Sequence, residues 1–346
     1  MNKRALSLHP LYQLTLLRLR EFVREPEALF WALVFPILLA AGLGVAFRNQ
    51  PVQPVRIAAT TPSLVAMLEP DPALSVVPMD ARQAADALRT GRILLVVDEG
   101  AEADVVYRYD DTNPEARSAR LLANHALQRA AGRVDPVPAA DDVSRETGSR
   151  YIDFLIPGLV GMGVMGNAIW GLGFSIVDAR RRKLMKRIVA TPMPRHLYLG
   201  SFLGWRMILL PVEVGVPVLF GMIAFGVPVR GSILELALIC ILGSLAFSAI
   251  GLLIASRART IEAVSGLMNV VMLPMWILSG VFFSAERFPE SVQPWIQALP
   301  LTALIDALRA NMLQGAGFGS LWPQAAVLAG WLVVAFAVAL KLFRWR

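Results

Sequence analysis

The chain has 346 residues, of which 56% are hydrophobic and only 17% charged, and its formal net charge is +7. A soluble domain is about a quarter charged, so this composition, with a mean hydropathy of +0.56, excludes an ordinary soluble enzyme and points to a membrane protein. The pI near 10.1 does not mark a nucleic-acid binder, because Lys and Arg stand between apolar runs, where they set topology, rather than over a polar surface.

The segment LYQLTLLRLREFVREPEALF opens the pattern, with Leu11, Leu14, Leu17 and Phe22 at helical recurrence and Arg18, Arg20 and Arg24 among them. It predicts an amphipathic helix on the membrane surface over 1–28, ending near Pro26. A bilayer core about 30 Å thick takes about 20 apolar helical residues, and six stretches qualify: Leu29–Phe47, Ile152–Val177, Leu197–Phe225, Ser232–Ala255, Ala263–Phe283 and Leu321–Phe343. The first is too long, and too far from the start, for a cleaved signal peptide, and reads as an uncleaved anchor.

Residues 48–150 form the sizeable polar part. Runs VRIAA, LSVVPM, ILLVV and DVVYRY read as strands, and SLVAMLE, ARQAADALRTG and PEARSARLLANHALQRAAGR as helices. The order β-α-β-α-β-β-α is a small α/β domain, tethered by the Pro-, Asp- and Arg-rich RVDPVPAADDVSRETGSR. The acidic runs DEGAEAD and YDDT lack EF-hand spacing and read as solvated turns. The fold class is therefore an α-helical integral membrane protein, with six transmembrane helices and an α/β domain between the first and second. The remaining part, 151–346, is a five-helix membrane domain. Its segment 284–320 is too apolar for a free loop and too broken for a span, so it is expected as short re-entrant helices with Trp295 at headgroup level and Asp306 paired with Arg309.

Short-loop charge orients the spans. The N-terminal segment, the run ARRRKLMKRIVATPMPRHLY at 179–198, Arg257, Arg259, Lys341, Arg344 and Arg346 share one side, whereas the other side's short loops offer Arg230, Arg287 and Arg309. The dozen arginines of 48–150 do not count, since loops that long translocate largely regardless of charge. Both termini and the loop 178–197 are thus expected in the cytoplasm, with 48–150 outside.

Chemistry-bearing motifs are absent. None of the four lysines closes a G-x-x-x-x-G-K-[ST] loop, and there is no G-x-S-x-G, H-E-x-x-H or glycine-rich dinucleotide turn. Cys240 is the one cysteine, and His9, His125 and His196 lack metal-ligand spacing, so no metal site and no enzyme are expected. Ionisable groups at membrane depth are functional hypotheses by default. Arg206 and Glu213, two helical turns apart, share a face and pair directly or through water; the alternative is that Arg206 snorkels to the interface while Glu213 bonds within the bundle. Asn167 and Asn269 lie mid-span. The second span is crowded with glycines, among them Gly163 and Gly166, and Gly200 with Gly204 makes a G-x-x-x-G that suits either close packing or a moving seam.

Four segments together resemble a known family: YIDFLIPGLVGM at 151–162, the basic run with Thr191–Pro192, SGLMNVVMLPMWILSGVFF at 265–283 and LPLTALIDALR at 299–309. With the outer domain, their order is similar to that of permease subunits of ABC exporters of the ABC-2 type, over nearly the whole chain. The resemblance implies a coupling helix in the loop after the second span that docks on a cytoplasmic ABC ATPase subunit, where ATP and Mg are bound. On this chain it falls on Arg180, Arg181, Arg182, Lys183, Lys186, Arg187, Thr191 and Pro192, with Pro192 and Pro194 re-aiming the chain. The chain reads KLMK at 183–186, where many members carry Gly-Thr-Leu-Glu, so an acidic contact is replaced by Lys186.

The implied function is the permease of an exporter in the bacterial inner membrane, dimeric with a second copy or paralogue. Its translocation path for a drug- or lipid-like amphipathic substrate is lined by Gly163, Gly166, Asn167, Asn269 and Met272. No nucleic-acid partner is expected, and the lipid bilayer is. The alternatives are a membrane-anchored scaffold or receptor whose outer domain binds a ligand, and an intramembrane enzyme using Arg206 and Glu213. The topology is directly testable. Arg187→Cys in a Cys240→Ser background is expected to react with an impermeant maleimide from the cytoplasmic side alone, and labelling from outside intact cells reverses the assignment.

Overall fold

The computed structural model describes residues 9–47, 54–100, 104–134, 148–184, 195–258 and 260–342. The chain divides into two compact units, one of Met1–Arg48 with Ser144–Arg346 and the other Asn49–Val143. Helix α1 runs Pro10–Arg24. His9 caps it, its ring accepting from the Leu11 N–H, and extended Glu25 ends it. Helix α2, Pro26–Ala46, contains a π-helical turn at Phe30–Val34 just before Pro36, whose missing N–H disturbs the ladder there.

The α/β unit follows the expected order: β1 Val55–Ala59, α3 Pro62–Leu68, β2 Leu74–Pro78, α4 Ala81–Arg89, β3 Leu95–Glu99, β4 Val105–Arg108 and α5 Pro114–Ala130. The sheet order is β2-β1-β3-β4, with β1 parallel to β2 and β3 and β4 antiparallel to β3. Alternation divides its two faces. Ile57, Ala59, Leu95 and Val97 pack under α3 and α5, whereas Ala58 and Val96 pack under Ala84 and Ala87 of α4. The third strand starts two residues later than ILLVV predicts, because Ile93 is spent on the α4 side. The acids of its far end are then partly used: Asp98 pairs with Arg108 at 2.9 Å and accepts from the Thr60 hydroxyl.

The rest of the helical unit comprises α6 Tyr151–Arg181, α7 Arg195–Phe225, α8 Ile233–Arg257, α9 Ile261–Leu278, α10 Gln293–Gln297, α11 Pro300–Gln314 and α12 Trp322–Leu342. Among the described residues, six helices are long and apolar enough to cross a membrane: α2, α6, the Gly200–Phe225 part of α7, α8, α9 and α12. Only α9 departs much from its expected limits. Ser279 caps it and Gly280 turns the chain at φ 76°, so Val281–Phe283 fold back against α6.

Helix α6 is the centre. Its most apolar window is 78% buried, against 22% for α9 and 17% for α12, and Leu155, Ile156, Leu159, Met165, Ala168, Ile169 and Ile176 are fully buried. Its glycines make that possible. A Cβ on Gly173 collides with Met268 of α9 and sits 3.3 Å from the Gly251 carbonyl of α8, and one on Gly161 meets Ile305 of α11 at 2.7 Å. Helix α11 is therefore a core element rather than a shallow dip, with Leu301, Leu304, Ile305, Leu308 and Met312 fully buried. Only the turn before it stays open, where Trp295 is exposed.

The G-x-x-x-G of α7 has a definite partner. Gly200 faces Leu11 and Gly204 faces Thr15 of α1, with the Cβ positions 3.4 and 2.9 Å from those side chains. The Arg18 guanidinium then lies 3.3 Å over the Phe202 ring and donates to the Ser201 hydroxyl at 3.1 Å, and Phe22 meets Trp205. Burial lowers the Arg18 pKa from the usual arginine value. Leu11, Thr15, Arg18 and Phe22 recur at i, i+4, i+7 and i+11, so one stripe of the amphipathic helix is seated on α7. Gly204→Ala is expected to push Thr15 away and cost about 1–3 kcal/mol as overpacking, read as faster hydrogen exchange over residues 10–24. Thr15→Ala added to it restores protection, and Gly215→Ala, with open space around its Cβ position, leaves protection unchanged.

Candidate functional site

The basic end of α6 splits into cations that bind their own fold and cations that do not. Arg180 Nη1 donates to the carbonyls of Ala255 and Ala258 at 3.0 and 2.8 Å. These are terminal acceptors of α8, which carry the negative end of its dipole. Arg182 pairs with Asp178 one turn back at 2.8 Å. Lys183 takes a left-handed conformation, φ 57°, which ends the helix. Arg181 and Lys183 are exposed, and Glu262 at the start of α9 lies within Coulombic reach of Arg181. Lys186, Arg187, Thr191 and Pro192 lie outside the described residues.

Within the bundle, one stripe of α6 is left half-open. Gly163, Asn167, Trp170 and Phe174 follow i, i+4, i+7 and i+11; the first three are half-buried and Phe174 is exposed, with half-buried Gly166 and Gly171 flanking them, on a helix most of whose residues are buried. At 100° per residue, this stripe falls between Gly171, which faces Trp205 of α7 at 3.5 Å, and Gly166, which faces Met272 of α9 at 3.7 Å. It is the floor of a furrow with α7 on one side and α9 on the other. The furrow is apolar apart from Asn167, whose buried Nδ2 has no hydrogen-bond partner, an open valence at membrane depth.

Helix α9 packs through Val264, Met268, Met272 and Met275, while Leu267, Asn269, Val270, Leu273 and Ile277 are exposed. The structure thus brings Gly163, Gly166, Asn167 and Met272 around one furrow. It sets Asn269 on the uncovered flank of α9, apart from the seam through which α9 meets α6. Behind the furrow Arg206 and Glu213 pair directly, with both side chains almost fully enclosed. Arg206 does not snorkel: its second nitrogen reaches the Val164 carbonyl of α6 at 3.3 Å.

A family model described as ABC-2 family transporter protein matches residues 26–341. The chain belongs to the ABC-2 transporter family. It is 29% identical over 209 residues to the inner membrane transport permease YhhJ of Escherichia coli K12, a match covering 58% of this chain and 56% of YhhJ. The inner membrane transport permease YadH of the same organism is 28% identical over 199 residues, 57% of this chain and 75% of YadH. ABC transporter G family member 20 of Dictyostelium discoideum is 30% identical over 196 residues, 55% of this chain and 26% of that protein. The chain thus spans about half the length of YhhJ.

Two features of this ABC-2 chain escape sequence reasoning. Arg309 of α11 keeps the expected ion pair with Asp306, at 4.0 Å. Its guanidinium also donates to the carbonyls of Phe154 on α6 and Gly280 after α9, and stacks 3.5 Å over the Phe154 ring. Burial draws its pKa down to about 10, so it stays charged at neutral pH and ties three elements together. The stripe of Gly163, Asn167, Trp170 and Phe174 is visible in the sequence as a helical repeat, but nothing there tells which face of α6 the neighbours leave uncovered. The α/β unit has its own groove, about 610 Å³, at the carboxyl ends of β1 and β2, lined by Thr60, Thr61, Val65, Glu69, Met79 and Asp80.

The two kinds of cation separate by mutation. Arg180→Met strands two carbonyls and is expected to cost about 1–3 kcal/mol, seen as a lower melting temperature of the purified protein. Arg181→Ala, exposed, is expected to change stability by less than about 0.5 kcal/mol in the same melt.

Proposed function

We propose that this chain is the permease of an ATP-binding cassette exporter, multi-pass in a bacterial inner membrane with both termini in the cytoplasm and the α/β unit outside. It supplies the path for an amphipathic, drug- or lipid-like substrate. A separate cytoplasmic ATPase subunit, holding ATP and Mg, supplies the energy. The half-open furrow on α6 carries this reading. A helix buried over most of its surface that leaves Asn167 and Trp170 half-buried and Phe174 exposed presents an aromatic wall and one amide, suited to a mostly apolar guest with a polar group. A second copy or paralogue closes the furrow, meeting it with the exposed flank of α9, where Asn269 stands among Leu267, Val270 and Leu273.

At the cytoplasmic end, the exposed cations Arg181 and Lys183 precede Lys186, Arg187, Thr191 and Pro192 in the run. Such a cluster complements acidic groups on an ATPase surface. Arg180 and Arg182 support the loop from within the fold. Motion imposed on the loop acts on α6 directly, on α8 through Arg180, and on α7 through the chain that follows.

The test is co-purification with a candidate ATP-binding cassette subunit, followed by an ATPase-stimulation screen over lipids and hydrophobic drugs. Asn167→Leu and Trp170→Ala are expected to lower substrate stimulation about tenfold, equivalent to about 1.4 kcal/mol, while the complex still assembles. Wild-type stimulation in both variants, or ATP hydrolysis by the isolated chain, would falsify the assignment.

A further inference from the structure

Helix α7 carries two prolines in its interior, Pro211 and Pro217. Pro211 has no N–H for the Met207 carbonyl, and Pro217 has none for the Glu213 carbonyl, so the hydrogen-bond ladder is broken twice within two turns. Arg206 and Glu213 stand on either side of the first break. Their side chains join across it, 2% and 1% exposed, and Arg206 also holds the Val164 carbonyl of α6. The far carboxylate oxygen, Glu213 Oε2, and Arg206 Nε are buried with no hydrogen-bond partner.

A pair meant only to neutralise two charges need not straddle a break in the helix ladder, nor leave donors and acceptors unmet. Replacing such a buried pair by apolar residues is often neutral or stabilising, so static stability gives little reason for it. The neighbouring helix α2 is irregular as well. Its far end reaches α7 where Gly44 meets Phe225, and its π-helical turn Phe30–Val34 packs on α7.

We propose that Arg206 and Glu213 are positioning residues that form a clasp across the Pro211 hinge of α7. With the clasp closed, α7 is held straight and tied to α6 beside the furrow. With it open, α7 bends at Pro211, and the π-helical turn of α2, which packs on α7, shifts with it. The inference rests on the permease reading for its purpose: α7 follows the basic loop directly and carries α1, so a pull from the cytoplasm reaches membrane depth through this hinge. The clasp itself is a property of the chain alone.

The experiment uses the full chain in lipid nanodiscs, in a Cys240→Ser background, with labelled chains diluted into unlabelled ones. Ile208→Cys and Met222→Cys place spin labels on two exposed positions of α7, on similar faces and about 21 Å apart along the axis. The parent is expected to give one narrow distance distribution. Glu213→Gln is expected to broaden and lengthen it by roughly 3 Å or more, as a kink beyond about 20° produces in labels carried off the helix axis. The swap Arg206→Glu with Glu213→Arg is expected to restore the narrow distribution, and Glu213→Gln in a Pro211→Leu background to have no effect.

Should Glu213→Gln fail to fold, Arg206→Lys, whose ammonium lacks the two separated nitrogens that reach Glu213 and Val164, reads the same distance. An unchanged distribution in the folded variants, or equal broadening with and without Pro211, overturns the clasp. A second arm measures ATPase stimulation with the partner subunit, where Glu213→Gln is expected to lose about tenfold, or about 1.4 kcal/mol, and the swap to recover it. A distance response without any ATPase response faults the permease reading and leaves the clasp standing.

Discussion

Gly173 meets Met268 of one neighbour and the Gly251 backbone of another with no side chain of its own between them. That close approach is the constraint on which the helical unit depends. In lipid the apolar effect gives helices no reason to associate, and packing at short range has to hold them. Helix α6 meets the requirement on most of its circumference through Gly158, Gly161, Gly171 and Gly173. The consequence is an enclosed helix with one stripe to spare. The furrow is therefore an outcome of where the small residues stop, since Gly163 faces open space while its neighbours in the series are filled.

The arginines of the bundle follow a second rule. A bilayer offers no water to a buried guanidinium, which has to find its acceptors within the protein. Arg180 serves the end of α8, Arg309 serves Phe154 and Gly280, and Arg206 serves Val164. Each guanidinium has several donors in a fixed fork, so it can satisfy a carbonyl and keep a second contact. Arg206 adds a carboxylate, Arg309 an aromatic face and Arg180 a second carbonyl. Positive charge that reads in the sequence as topology or surface is, in these three places, a structural cross-link between helices.

The spans and the α/β order were legible because both rest on local pattern: 20-residue apolar windows in one case, and short β-branched runs alternating with helical repeats in the other. The family resemblance was legible from four ordered segments. Partner choice was not. Arg309 next to Asp306 looks like a local ion pair, and only the tertiary approach of Phe154 and Gly280 shows its carbonyl role. The G-x-x-x-G of α7 announces close contact without saying with what, and its partner lies nearly 190 residues earlier. For Arg206 and Glu213 the spacing gave a shared face, while the choice between pairing and snorkelling depended on the depth at which α6 presents Val164. The uncovered side of α6 depends on every neighbour at once, which no single stretch encodes.

The seating of α1 on α7 has a bearing on biogenesis. Arg18 and its Ser201 acceptor are 183 residues apart, so at roughly 5–20 residues per second the ribosome needs about 10–40 s to deliver the second after the first. Throughout that interval the amphipathic helix lacks its seat on α7. Its polar side must tolerate water and its apolar side a bilayer surface, before the same apolar side becomes a protein contact. The dual composition of residues 10–24 is thus a record of two successive environments, and closure of this contact marks a late step in the maturation of the nascent polypeptide.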